Sequence, residues 1–230
     1  MLSIIQLVVV TFVSFFSIIS AYADEPLEVT VDGIPGEMIP EKFAYCVATE
    51  TEKSTSGTDN LSPGVHWTAG PKGTKSYALI MMDPDVPLDF SNAGKEGKTI
   101  AINARRQPFY HWAVVNIPAA NLAMVEGAGK PQAGSSSPAV FAVNDYLVFS
   151  GAAKSKENIE KHTGYDGPCP PWNDERVHHY HFKVYALDTE TIAAPEPFMA
   201  SQVLKLIKPH ILAQGEKVLT YTLNPKLKIP

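Results

Sequence analysis

The sequence predicts a mainly β protein, organised around a large central antiparallel or mixed sheet with a few peripheral helices. Three observations carry that expectation. The 19 prolines and 15 glycines in 230 residues leave little room for long uninterrupted helices. Short apolar runs recur between turn signals along the chain. Helical spacing is sustained over one stretch only, near the C terminus.

Taken in order, Leu27–Val31 reads as the first strand and runs into the turn Asp32-Gly33-Ile34-Pro35-Gly36. Ser76–Met82 is a buried strand whose stop signal is Asp83-Pro84. Trp112–Ile117 follows, ended by Pro118. A Gly-, Ser- and Pro-rich loop over 126–138 and a long connection to Pro171 then lead to the strand His178–Leu187. Between Pro197 and Ala213 the apolar residues Phe198, Val203, Leu204, Leu206, Ile207, Ile211 and Leu212 fall near helical spacing, with Pro209 placed to kink or split the helix. After Gly215 comes a final strand over Lys217–Leu223.

Hydrophobic residues make up 45% and charged residues 19% of the chain, the balance of a globular domain and not of a disordered, collagenous or coiled-coil chain. Acidic side chains outnumber basic ones, 24 to 19, and no basic block is present, which argues against a nucleic-acid partner. No repeat or linker divides residues 24–230, so they are read as a single domain. Residues 1–23 stand apart. Met1–Ala23 holds no Asp, Glu, Lys, Arg or His, Leu2–Ile19 is mostly Leu, Ile, Val and Phe, and the segment ends in the small-x-small pattern Ala21-Tyr22-Ala23. The expectation is a signal peptide cleaved after Ala23 and an exported domain, periplasmic or secreted. An n-region without Lys or Arg leaves a second reading open, an uncleaved anchor, because about 20 apolar residues span a bilayer. Export makes a disulfide between Cys46 and Cys169 a candidate. Two separate buried thiols are the other reading, since pairing requires Cα atoms within about 7 Å.

Three segments carry polar residues that a structural strand does not need. Asp83-Pro84-Asp85-Val86-Pro87 presents two carboxylates from a proline-stiffened turn at a strand end, although Asp-Pro is also a common turn opening. In Phe109–Pro118, strict alternation places His111 with Ala113, Val115 and Ile117 on one face and Trp112, Val114 and Asn116 on the other. Taken alone, that segment reads as a structural histidine with a satisfied ring. The third segment, Gly167-Pro168-Cys169-Pro170-Pro171-Trp172, leads into a strand with His178, Tyr180, Phe182, Val184 and Ala186 on one side and His179, His181, Lys183 and Tyr185 on the other. A core strand that begins with His and Tyr on its buried face, beside a rigid proline loop, describes a pocket wall.

The three segments, in this order and over essentially all of residues 27–225, resemble the phosphatidylethanolamine-binding protein or Raf kinase inhibitor-like family, in its bacterial branch. The resemblance implies a smaller second sheet beside the central one. It also implies a small pocket for phosphate, phosphorylethanolamine, acetate or similar anions. Carried over by residue, the candidate ligand-binding set is Asp83, Asp85, Pro87, His111, Gly167, Cys169, Pro170, Pro171, His178 and Tyr180. Two aspartates sit badly with an anion, so Asp83 is expected to orient His111 or His178, leaving His111, His178 and Tyr180 as direct donors.

No Gly-x-Ser-x-Gly, Walker, Rossmann or His-Glu-x-x-His pattern supports catalysis, and no cofactor is implied. No metal site is assigned, because His179 and His181 share a strand face without evident third and fourth ligands. The expected function is therefore that of a non-enzymatic exported protein binding a small anion or phospholipid head group. Membrane contact is expected only through the signal segment or lipid head groups. The alternative is an inhibitor or modulator of a protein target, such as a serine protease or signalling protein, through the pocket rim. A hydrolase or a metal-binding protein is less well supported.

Overall fold

The computed structural model describes residues 26–49, 53–56, 58–149, 151 and 155–227. The segment read as a signal peptide lies outside the described residues. In chain order the elements are β1 (Val29–Val31), β2 (Cys46–Val47), β3 (Thr55–Ser56), β4 (Val65–Trp67), β5 (Ser76–Pro87), β6 (Arg106–Pro118), β7 (Ala123–Met124), β8 (Val140–Phe141), α1 (Tyr146–Phe149), α2 (Lys156–Lys161), β9 (His178–Leu187), α3 (Ala200–Ile207) and β10 (Ile211–Tyr221). They form a five-stranded sheet in the order β10-β9-β5-β6-β8, a three-stranded sheet β1-β4-β7 and a two-stranded ribbon β2-β3. The ladders between these strands are antiparallel.

Each face of the large sheet is buried, so its central strands read as continuous apolar runs instead of alternating ones. One face meets the three-stranded sheet: Tyr77, Leu79, Met81, Trp112, Val114, Phe182 and Val184 pack with Val31, Val65 and Trp67. The other is covered by α3, whose Ala200, Val203 and Ile207 lie on Ala78, Ile80, Ala113 and Val115. The alternation read in β9 is the one observed, with His178, Tyr180, Phe182, Val184 and Ala186 all buried.

Three local expectations fail, each for a geometric reason. Asp83-Pro84 does not end β5, which runs on to Pro87. The register shifts between Asp83 and Val86, and this irregularity lets the strand accommodate Pro84, which has no N–H for the ladder. Strict alternation fails in β6. Met81 pairs with Trp112 but Met82 with Tyr110, so His111 is an extra, unpaired residue, and a second irregularity precedes Ile117, at Asn116 with φ 60°. Trp112, Val114 and Ile117 therefore share one core while Ala113 and Val115 face the other. The C-terminal helix is also shorter than its apolar spacing suggests. It stops at Ile207, a 3₁₀ turn carries Pro209, and Ile211 and Leu212 already belong to β10, which pairs with β9 along its length. Gly215 is thus a strand residue and not a separator. The carbonyl of Leu27 presses on it where a side chain would stand, and the Leu27 N–H donates to Gln214 O.

Cys46 and Cys169 form a disulfide with Cα atoms 4.7 Å apart and 123 residues of separation. Closing so long a loop is worth about 4–5 kcal/mol in the chain-entropy treatment. A Cys46→Ser/Cys169→Ser double variant is accordingly expected to lose several kcal/mol of unfolding free energy in urea. A loss below about 1 kcal/mol would show that the bridge constrains little.

Candidate functional site

The ends of β5, β6 and β9 bring four polar side chains, Asp83, His111, His178 and Tyr180, to one end of the large sheet. Asp83 on β5 stands opposite Phe109 on β6. His178 opens β9, and its Nδ1–H donates to Asp83 Oδ2 at 2.6 Å. The extra residue in β6 turns His111 towards the same place, its ring 5.3 Å from that of Tyr180. These side chains floor a cavity of about 40 Å³, enough for a group of a few heavy atoms and far too small for a whole lipid. Val86, Phe90, Phe109, Tyr146 and Phe149 form an apolar wall, and Cys169, Pro170 and Pro171 close the other side.

The floor is organised by a buried chain of alternating charges. The second nitrogen of His178 donates to Asp174 Oδ2 at 3.2 Å, and Arg106 grips the same carboxylate with two N–H groups at 2.5 and 2.9 Å. Burial works against a charged His178. The hydrogen bonds to Asp174 and Asp83 and the charges of both carboxylates outweigh it, and its pKa is pushed up to about 9. Burial would raise Asp174, but His178 and Arg106 hold it below the usual carboxylate range. His178 is therefore an imidazolium with both N–H groups spent. Asp83 orients it, and accepts the Asp85 N–H with its other oxygen at 2.7 Å. The expectation that His178 would donate to a ligand is thereby corrected.

His111 is in the opposite state. Its Nδ1 lies 2.9 Å from the carbonyl oxygen of Asp166, which can only accept, so the proton sits on Nδ1 and Nε2 carries a lone pair. Burial lowers its pKa, with Asp83 and Asp166 opposing, so the ring is neutral. Nε2 is buried and has no partner, and so is the hydroxyl of Tyr180. Tyr180 remains a phenol, because burial raises its pKa well above the ordinary value.

Asp166 supports this arrangement from behind. Its carboxylate accepts from Asn60 at 2.9 Å, Lys130 at 3.1 Å, Asn144 at 2.8 Å and the His162 ring at 2.9 Å, which fixes the backbone that holds His111. Tyr146 donates to the carbonyl of Gly167 at 2.9 Å.

Of the residues singled out from sequence, Asp83, His111, Cys169, Pro170, Pro171, His178 and Tyr180 line the cavity; Asp85, Pro87 and Gly167 do not. Asp85 is drawn aside by Arg176 at 2.9 Å and by the ring and N–H of His179 at 2.8 and 3.0 Å. Pro87 pairs with Arg106 at the far end of β5. Gly167 sits hard against the Phe43 carbonyl, where any side chain would collide. Sequence reasoning missed the aromatic wall and the Arg106–Asp174 pair. Tyr146 and Phe149 had a faint signal, an i, i+3 spacing within an apolar run, but Asp174 and Arg106 lie in polar stretches with no pattern. Among the described residues no group of three or more His, Cys, Asp or Glu is placed to hold a metal ion.

Fold and site together define a β-sheet binding protein with a small polar-floored cavity at a sheet end. Comparison with known proteins specifies it further. A family model described as phosphatidylethanolamine-binding protein matches residues 30–222. The chain is 30% identical over 165 residues to the UPF0098 protein YbcL of Escherichia coli K12, covering 72% of this chain and 73% of that protein. It is 32% identical over 157 residues to YbhB of the same strain, 68% and 78% of the two chains, and 30% identical over 186 residues to a UPF0098 protein of Aquifex aeolicus, 81% and 82%. The crystal structure of E. coli YbcL, presented as a new member of the mammalian PEBP family, aligns with a TM-score of 0.63 at 26% identity, over 86% of this chain and 99% of that one. The chain belongs to the phosphatidylethanolamine-binding protein family and matches its UPF0098 members.

The raised pKa of His178 has a measurable sign. Its stabilising contribution is complete below the ordinary value of 6.5 and is lost as pH rises through about 9. From this group alone, unfolding free energy is expected to fall by roughly 3 kcal/mol over that interval. Urea denaturation across the range, with NMR titration of the imidazole, checks it. A flat profile together with a ring titrating near 6.5 would contradict the buried imidazolium.

Proposed function

We propose that the cavity holds a small oxyanionic group, a phosphate or a phospholipid head group of the phosphorylethanolamine kind, and that the protein works as an exported binding protein. The observation that carries this reading is that Tyr180 and His111, which both line a cavity sized for a few heavy atoms, each hold a buried polar atom without a partner, Oη and Nε2. Buried polar groups are nearly always hydrogen-bonded, and these two, unlike the unpaired buried atoms of Ser62, Trp67 and Trp112, belong to residues of the cavity lining, where a ligand would pair them. The family name points to the same chemistry. Asp83 takes no part as a direct ligand in this reading. It serves His178 and contributes a fixed negative charge.

Export, to a periplasm or out of the cell, is supported by the charge-free segment 1–23 ending in Ala-x-Ala and by the disulfide, a bond that persists in oxidising compartments. A second reading, modulation of a protein target through the pocket rim, is favoured by Phe149, which lines the cavity yet is 47% exposed, and by its neighbour Val148, 62% exposed.

Calorimetry with phosphate, phosphorylethanolamine and acetate tests the primary reading. The wild type is expected to bind at least one of them, and Tyr180→Phe and His111→Ala each to weaken that binding about tenfold, the value of one buried hydrogen bond. Absence of binding by the wild type to all three would overturn it.

A further inference from the structure

We infer that the site selects a protonated oxyacid, one that carries a single O–H such as the monoanion of a phosphate monoester, over the fully ionised form of the same group. The inference rests on reading the cavity as an oxyanion site and specifies which ionic species occupies it.

The two orphan atoms are not equivalent. Tyr180 Oη can donate or accept, but His111 Nε2 only accepts, because the Asp166 carbonyl at 2.9 Å claims the ring proton at Nδ1. A ligand that offers acceptors alone meets Tyr180 well and sets a lone pair against the lone pair of Nε2. An oxyacid with one O–H satisfies both: its hydroxyl donates to Nε2 and another of its oxygens accepts from Tyr180.

The charges around His111 favour the same species. From β5 it faces Asp83, from β9 the His178 cation and the Tyr180 phenol, from α1 Tyr146, and from the loop before Cys169 the Asp166 backbone and carboxylate. Asp83 has both oxygens already accepting and is neutralised by the His178 cation, so the floor offers no spare positive charge to hold a second negative charge on a ligand. Protonating His111 to accommodate a dianion is opposed by burial and by the His178 charge. The complex therefore contains one proton more than a neutral His111 plus a dianion. That proton arrives on the ligand oxygen and is shared with Nε2.

Phosphorylethanolamine and its isostere ethanolamine O-sulfate separate the possibilities, because the sulfate ester carries one negative charge and no O–H. Calorimetry from pH 5.5 to 8.5, in two buffers of different ionisation enthalpy, gives affinity and proton uptake. The second phosphate ionisation lies near pH 6, so affinity for the phosphate ester is expected to fall about tenfold per pH unit well above it, with close to one proton taken up per ligand at pH 7.5. The sulfate ester is expected to bind at least about tenfold more weakly near pH 6.5, for want of the donor to Nε2. His111→Gln, whose amide can turn to donate or accept, is expected to close the gap between the two esters, and the wild-type comparison stands whether or not that variant folds. Equal affinity of the wild type for both esters, with no pH dependence between pH 6 and 8, would overturn the inference while leaving an anion site in place. Binding of neither ester at any pH would overturn both.

Discussion

Much of the site hangs on one buried cation, His178, held between Asp83 and Asp174. Its partners come from different parts of the chain. Asp83 belongs to β5, His178 to β9, Asp174 to the loop that follows the prolines, and Arg106, which closes the series, to the start of β6. Two carboxylates and two cations neutralise one another where water does not reach, and each is oriented by the next. Removing the central ring would leave two buried carboxylates facing each other across an unfilled gap, a far larger penalty than the loss of one hydrogen bond. The same series explains why a sheet end with several charged groups presents so little net charge to a ligand. In the proposed binding reading, specificity then falls to the two uncharged atoms left over, His111 Nε2 and Tyr180 Oη.

Those two atoms owe their positions to different kinds of support. Tyr180 is placed by the pleat, two residues after His178 on the buried face of β9. His111 is placed by an irregularity, and its tautomer by a main-chain carbonyl. The carboxylate of Asp166 never touches the cavity. It draws in Asn60, Lys130, Asn144 and His162, and so fixes the peptide whose oxygen decides where the His111 proton sits.

What the sequence made legible, and what it hid, follows from this division. Strands with an unbroken pleat were readable: β9 alternates as its residues suggest, and His178 and Tyr180 fall where alternation puts them. β6 was not, because each register slip exchanges the faces, and neither slip is marked by a glycine or proline at the slip itself. Period two assigned His111 to the wrong face for that reason, and its neighbours read as those of a structural histidine; only the family resemblance marked it as a site residue. The C-terminal strand was read only from Lys217 onwards; its first residues, Ile211 and Leu212, were hidden by an apolar spacing that suits a helix, and pairing with β9 overrode it. Gly215 looked like punctuation and proved to be a point of close backbone approach. Arg106 and Asp174 are 68 residues apart, and nothing short-range announces that they meet.

The disulfide joins more than two distant stretches of chain. Cys169 is itself part of the cavity wall, immediately before the two prolines, so a sulfur of the bridge also shapes the cavity. The bridge ties Cys46 on β2 to that wall across 123 residues of sequence, and one covalent bond thus serves both the tether between two distant stretches and the outline of the space beside the prolines.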